Sequence, residues 1–154
     1  MTVSAWRIVK ASHASSAFSG DGARRFGGRW NNPGAAPIYV SGSISLAMLE
    51  IQVHVELPEL LRAYALFEVT FDEKLIKTLA LSTLPKSWQE TPAPASVKRI
   101  GDAWAASGES AILKVPSAIV PTEFNYLLNP AHADFSAITI GPKRMLKFDT
   151  RMAR

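Results

Sequence analysis

Glu50 is the residue whose position in the sequence most needs a chemical explanation. A helix is predicted from Ile44 to Val55, with Ser43 as its N-cap. At about 100° per residue, two apolar sectors cover most of this helix, and Glu50 falls among their residues. The other polar side chains of the segment are expected to share a separate window: Gln52, His54 and Glu56. We therefore expect Glu50 to face the protein interior.

A carboxylate inside a protein is too costly to keep unless it is paired, hydrogen-bonded or protonated. Two interpretations stay open at this point. Glu50 forms a structural ion pair with Arg7 or Arg29, or it is held in a dry pocket for chemistry. Arg29 and Tyr39 precede Glu50 in GGRWNNPGAAPIYVSGSISLAMLE, residues 27–50, so the fold has to show whether these side chains meet.

The composition indicates one globular domain over residues 1–154, with 47% hydrophobic and 19% charged residues. The chain has no cysteine, which excludes disulfides, thiolate nucleophiles and sulfur-ligated metals. Its three histidines lack the spacing of metal ligands, so no metal site is predicted. The sequence has neither a signal-peptide pattern nor a membrane-spanning apolar run, and we expect a cytoplasmic protein that binds no membrane.

The net charge of +4 permits nucleic acid, a nucleotide or an acidic protein as partner. Basic residues cluster in two segments of the sequence: Arg24, Arg25 and Arg29, and Lys143, Arg144, Lys147, Arg151 and Arg154. Both clusters are interpreted as solvated surface, and no direct binding of nucleic acid is predicted.

Alternating apolar and polar residues predict more strands than helices. Strand patterns occur in SAWRIVKA, APIYV, AILKVPSAIV, the half-buried RAYALFEVTF, and on both sides of Gly141-Pro142. A second helix is predicted in residues 96–108, with Ser96 as N-cap and Gly108 as stop. Residues 11–36, rich in Ser, Gly and Asn, predict a long loop. We expect an α+β fold, a single compact domain of mixed or antiparallel sheets with a few helices.

Two segments together resemble one protein family. They are residues 27–50 and LKVPSAIVPTEFNYLLNPAHADF, residues 113–135. Their combination of Gly-Gly-Arg-Trp-Asn, a tyrosine before a Ser-capped helix with Glu near its end, Val-Pro-Ser and Asn-Pro-x-His resembles the RES domain, the toxin half of RES–Xre toxin–antitoxin pairs. The resemblance extends over nearly the whole chain and is weak across residues 72–108. It implies an ADP-ribosyltransferase-like fold.

The resemblance also implies a function. Family members take NAD as substrate, without a further cofactor, and cleave its nicotinamide–ribose bond; the resulting NAD depletion, by hydrolysis or phosphorolysis, arrests growth. Others transfer ADP-ribose to a protein acceptor. The implied partner is an Xre-type helix-turn-helix antitoxin, which we expect to cover the active site. The alternatives are a non-catalytic nucleotide-binding module and an RNA-targeting toxin that uses the basic clusters.

The site residues of the family match Arg29, Tyr39, Glu50 and Ser117, with Asn125 at a further matching position. By this resemblance Arg29, Glu50 and Ser117 are the predicted catalytic residues. Arg29 is expected to bind the diphosphate, Tyr39 to stack on the cationic nicotinamide, and Trp30 to lie beside the ligand. Glu50 is expected to stabilise an oxocarbenium-like transition state, and Ser117 to orient the ribose or the carboxamide.

Overall fold

A computed structural model describes residues 1–153 of the chain. The strands are β1 Thr2–Lys10, β2 Ile38–Ser41, β3 Tyr64–Asp72, β4 Ile76–Thr78, β5 Ile112–Pro116, β6 Phe124–Leu128, β7 Thr139–Ile140 and β8 Arg144–Leu146. The α-helices of this part of the chain are α1 Asp21–Phe26, α2 Ile44–Gln52, α3 Leu57–Leu60 and α4 Ala95–Ser107. Among these residues, no helix is long and apolar enough to cross a membrane.

The eight strands form one sheet in the order β4-β5-β6-β2-β1-β3-β7, and β8 pairs with β3 beside β7. Every neighbouring pair is antiparallel except β4 and β5, which are parallel. The predicted α+β fold of mixed sheet and few helices is confirmed.

The sheet opens between its two central strands. β1 pairs with β3 from Thr2 to Lys10, but it meets β2 at the pair Trp6–Ser41. β2 pairs along its length with β6 instead. Where β1 and β2 diverge, the side chain of Arg7 donates to the main-chain oxygen of Tyr39, at 2.8 Å. The Arg7 side chain thus gives β2 a hydrogen-bond donor at a position where the main chain of a paired strand would otherwise give one.

Two helices close the sheet over separate apolar clusters. α2 packs Ala47, Met48 and Ile51 against the cluster that contains Ile8 of β1 and Leu66 of β3. α4 packs Val97 and Trp104 against a second group of buried residues: Trp30, Leu113, Val115 and Leu127. Each helix therefore covers its own apolar part of the sheet.

Ser43 caps α2 as predicted, because its hydroxyl accepts from the main-chain N–H of Leu46 at 3.0 Å. The helix ends at Gln52, earlier than the predicted Val55. The long loop expected at residues 11–36 was only partly right, since it contains a 3₁₀ turn, Ala11–Ser16, and α1.

The predicted cap of α4 was wrong. Ser96 lies inside this helix, and the N-cap position is taken by Pro94, whose ring fixes the extended entry of the chain. Gly108 ends the helix in a left-handed conformation, with φ 63°, as expected of a C-terminal glycine.

α4 holds the loop before β2 through a close main-chain contact at Gly101. A Cβ atom added to Gly101 would lie 1.7 Å from the carbonyl oxygen of Trp30. Beside this contact, the carboxylate of Asp102 accepts hydrogen bonds from the main-chain and side-chain nitrogens of Asn32, at 3.0 and 2.7 Å. The loop that carries Arg29 is therefore fixed by the helix surface.

Gly101→Ala is expected to destabilise the protein by about 1–3 kcal/mol, since the new methyl group has no space. Gly22→Ala is the matched control, because a Cβ at Gly22 meets nothing within 4 Å. Urea unfolding measures both variants. A Gly101→Ala protein as stable as the Gly22→Ala protein would contradict the contact.

Candidate functional site

A pocket of about 370 Å³ lies at the divergence of β1 and β2. Its walls come from both strands, from α2, from the loop at residues 27–30, and from positions 118 and 125. Most of the predicted site residues line it: Arg29, Trp30, Tyr39, Glu50 and Asn125. The fold thus brings all of the predicted set except Ser117 to one cavity.

Glu50 lies in the last turn of α2 and is held through one of its two oxygens. Oε1 accepts from Ser117 Oγ at 3.0 Å and from Asn125 Nδ2 at 2.7 Å. Oε2 accepts no hydrogen bond within residues 1–153 and is not among the buried unpaired atoms, so it is open to the pocket. Glu50 forms no ion pair with Arg7 or Arg29, and the interpretation as a structural ion pair was wrong.

Ser117 lies behind Glu50 and does not line the pocket. Its side chain is fully buried, and its hydroxyl oxygen also accepts from the main-chain N–H groups of Ile119 and Val120, each at 3.1 Å. The hydroxyl proton is directed at Glu50, so no donor is left for a ligand. The geometry makes Ser117 a positioning residue for Glu50, whereas its predicted contact with the ribose or carboxamide stays a prediction.

Asn125 sits on β6, where its neighbours across the sheet are Ser41 and Val115. Its Nδ2 atom donates to Glu50, which fixes the orientation of the amide. Its Oδ1 atom is buried without a hydrogen-bond partner among residues 1–153. Leaving a buried acceptor unpaired costs about 1–3 kcal/mol, so this side chain is placed for the carboxylate at the expense of stability.

Tyr39 organises the loop in front of the pocket through its hydroxyl group. The hydroxyl donates to Asn31 Oδ1 at 2.6 Å and accepts from the main-chain N–H of Trp30 at 3.1 Å. Burial raises the pKa of the Tyr39 phenol above its ordinary value, so the group keeps its proton at neutral pH. Its ring remains part of the pocket wall, while stacking on nicotinamide stays a prediction.

Trp30 has a supporting position. Only 2% of its surface is exposed, and it packs with Val97 and Trp104 under α4. Trp30 borders the pocket but exposes little surface to a ligand. Its place beside a ligand stays a prediction.

Arg29 is bound to a segment that the sequence left without a role. Nη1 donates to the carbonyl oxygens of Trp88 and Glu90, at 3.1 and 2.9 Å, and Nη2 donates to Thr91 Oγ1 at 3.2 Å. These bonds tie residues 88–91 to the pocket rim. Binding of a diphosphate by Arg29 stays a prediction, and it would compete with these contacts.

Arg7 is the site residue whose role the sequence left open. Its Nε and Nη1 atoms donate to the carbonyl oxygens of Ala17 and Tyr39, at 2.5 and 2.8 Å, and its guanidinium lies 5.9 Å from the ring of Phe18. It forms no ion pair within residues 1–153, and Nη2 stays accessible without a partner. Burial lowers the pKa of Arg7 to about 10, which still leaves the group charged at neutral pH.

A signal for Arg7 exists in the sequence. It lies on the face of β1 that otherwise carries small apolar side chains, Ala5 and Val9. A charge within an apolar period is the same signal that singled out Glu50. In both places the structure shows a charged group in the pocket wall.

His54 also lines the pocket, and its predicted placement with Gln52 and Glu56 was wrong. Residues four apart on a helix differ by only about 40°, so His54 follows Glu50 on the same side. The spacing of these two residues was the signal that could have found it.

Comparison with known proteins identifies the family of this chain. Residues 4–149 match the family model of the RES domain. The chain is 43% identical over 130 residues to Toxin Res of Yersinia enterocolitica, across 84% of this chain and 86% of that protein. It is 38% identical to the Prs ADP-ribosylating toxin of a Sphingobium species, across 100% and 99% of the two chains.

A solved structure supports the fold independently. The chain resembles a chain of the M. tuberculosis MbcT–MbcA toxin–antitoxin complex with a TM-score of 0.77 and 20% identity, over 99% of this chain and 87% of that chain. The two chains therefore share a fold, whereas its ADP-ribosyltransferase-like character stays what the resemblance implies. Together with the identities above, these matches show that the chain belongs to the RES domain family of toxins.

Proposed function

We propose that this toxin cleaves the nicotinamide–ribose bond of NAD. The observation that carries the proposal is the Glu50 carboxylate, with Oε1 held by Ser117 and Asn125 and Oε2 open to the pocket. A carboxylate fixed in this way cannot turn away from a bound ligand. It is preorganised to stabilise positive charge that appears on a sugar ring next to it.

The bond breaks heterolytically in this scheme. Both bonding electrons leave with nicotinamide, which becomes neutral, and the ribose carbon becomes oxocarbenium-like. Oε2 of Glu50 stabilises that charge and accepts a hydrogen bond from a ribose hydroxyl. An acceptor then attacks the same carbon: water or phosphate, which releases a free product, or a nucleophile on a protein.

Transfer of ADP-ribose to a protein is the second candidate. It is favoured by the name of the Sphingobium relative, which describes ADP-ribosylation of Prs. Both candidates share the first bond cleavage and the same use of Glu50. They differ only in the acceptor, so one assay of nicotinamide release tests the common step.

Glu50→Gln is expected to lower the rate of nicotinamide release by at least about 100-fold. The amide oxygen can still accept from Ser117 and Asn125, so the fold is retained while the charge is lost. Glu56→Gln is the matched control, because Glu56 is exposed, lies just before α3 and does not line the pocket. Wild-type rates in purified Glu50→Gln protein would reject the catalytic role of Glu50.

The diphosphate of NAD needs a cationic partner, and two arginines in the described part of the chain line the pocket. We propose Arg7 as the principal one, because its Nη2 atom is accessible and without a partner within residues 1–153. The donors of Arg29 are engaged with the segment at residues 88–91. A guanidinium with an open edge in a desolvated wall binds phosphate strongly.

Arg7→Lys is expected to raise the KM for NAD roughly tenfold, because a lysine cannot hold two carbonyl oxygens and reach a phosphate. Arg29→Ala is expected to raise KM less. Arg24→Lys is the control, since Arg24 is exposed, is paired with Asp21 and does not line the pocket. Steady-state kinetics that reverse the order of Arg7 and Arg29 would assign the diphosphate to Arg29.

We further propose an Xre-type antitoxin as the partner, bound over the pocket mouth. The structural neighbour was solved as a toxin–antitoxin complex, which supports a partner of this kind. Arg7 and Arg29 give the pocket a cationic wall, and an acidic segment of an antitoxin is complementary to it. The proposed complex should release no nicotinamide from NAD. A complex that retains the full activity of the free toxin would contradict occlusion.

A further inference from the structure

A second pocket, also of about 370 Å³, adjoins the first. It is lined by β1, the segment at residues 13–19 and α1. α1 contributes Ala23 to the first pocket and Gly22, Arg25 and Phe26 to the second, so this short helix borders both. Arg7 is also common to the two linings. Both cavities are therefore bordered by the same arginine side chain.

The second pocket carries positive charge. Two of its lining residues are arginines, Arg7 and Arg25. Asp21, an acidic residue of the lining, is neutralised by Arg24, whose Nη2 atom lies 3.0 Å from its Oδ1 atom. Arg25 forms no ion pair within residues 1–153. This lining favours an anionic ligand.

The rim of the second pocket presents an unpacked aromatic ring. Phe26 is the last residue of α1, is followed by two glycines and is 82% exposed, so its ring is free to contact a ligand. The face of an exposed aromatic ring can stack with a nucleobase, and this contact needs no specific hydrogen bond. An open ring beside arginines matches a nucleoside phosphate better than a simple inorganic anion.

We propose that the second pocket binds a nucleoside monophosphate unit, with its base on Phe26 and its phosphate between Arg25 and Arg7. The inference rests on the proposed function in one respect: the unit is the adenylate end of NAD, whose nicotinamide end enters the first pocket. A dinucleotide consists of two nucleosides joined at a diphosphate. Two pockets that share one arginine have the same arrangement, with Arg7 at the junction.

AMP is the probe for this site, because it carries the base and phosphate but no bond that the toxin cleaves. Isothermal titration should show AMP binding to the wild-type protein. Phe26→Ala should weaken AMP binding roughly tenfold, and Phe26→Tyr should restore it, because both aromatic rings stack. Since Phe26 is largely exposed, its replacement leaves the core intact.

Arg25→Gln should also weaken AMP binding several-fold and reduce its dependence on salt, since one phosphate contact is lost. Arg99→Gln is the matched charge control, because Arg99 is exposed on α4 and lines neither pocket. It should bind AMP like the wild type. In NAD cleavage, Phe26→Ala should raise KM by the factor measured with AMP.

The outcomes separate this inference from the proposed function. AMP binding that responds to Phe26 and Arg25 supports the second pocket, even if no variant or wild-type protein cleaves NAD. Absence of AMP binding in the wild type overturns the inference, and so does equal AMP affinity in the wild type and Phe26→Ala. Loss of AMP affinity in Arg99→Gln equal to that in Arg25→Gln would show an effect of general surface charge and would also overturn the inference.

Discussion

The two hydrogen bonds donated to Oε1 of Glu50 are the interaction on which the site depends. They join α2 to β6 and to the turn after β5, and they compensate a carboxylate that faces a partly buried pocket. Ser117 is itself fixed by two main-chain N–H groups. Asn125 keeps its orientation although its side-chain oxygen has no hydrogen-bond partner within residues 1–153. The anchored oxygen leaves the other one available, which is the property that chemistry at a ribose carbon requires.

The opening between β1 and β2 supplies the space in front of that carboxylate. A continuous pairing of these strands would fill the gap with main-chain hydrogen bonds, and Arg7 occupies this position instead. The irregular segments around the opening are held from outside. α4 fixes the loop at Trp30 and Asn32, and Arg29 fixes residues 88–91. A rigid sheet with tethered loops is the arrangement in which binding sites are usually built.

Local sequence patterns predicted the features that depend on local physics. Ser43 caps α2 because a hydroxyl next to a helix start satisfies a free N–H group, and β1 and β3 follow their alternation. The candidate site was predicted from Glu50, a charged residue among the apolar positions of the predicted helix. The same reasoning applied to β1 would have identified Arg7.

The remaining features arise from contacts between distant residues. Ser117 lies 67 residues from Glu50, and nothing near Ser117 in sequence indicates that its hydroxyl is used up by a carboxylate. The engagement of Arg29 with residues 88–91 likewise depends on tertiary placement, so its competing contacts could not be seen in the sequence.

We infer that the open oxygen of Glu50 faces the ribose of a bound NAD molecule. A crystal structure of Glu50→Gln protein with intact NAD tests it most directly, since the variant is expected to bind the substrate without consuming it. We expect the nicotinamide ribose to lie against residue 50 and the diphosphate to lie against Arg7. NAD bound with its nicotinamide ribose away from residue 50, or outside the pocket between β1 and β2, would contradict it.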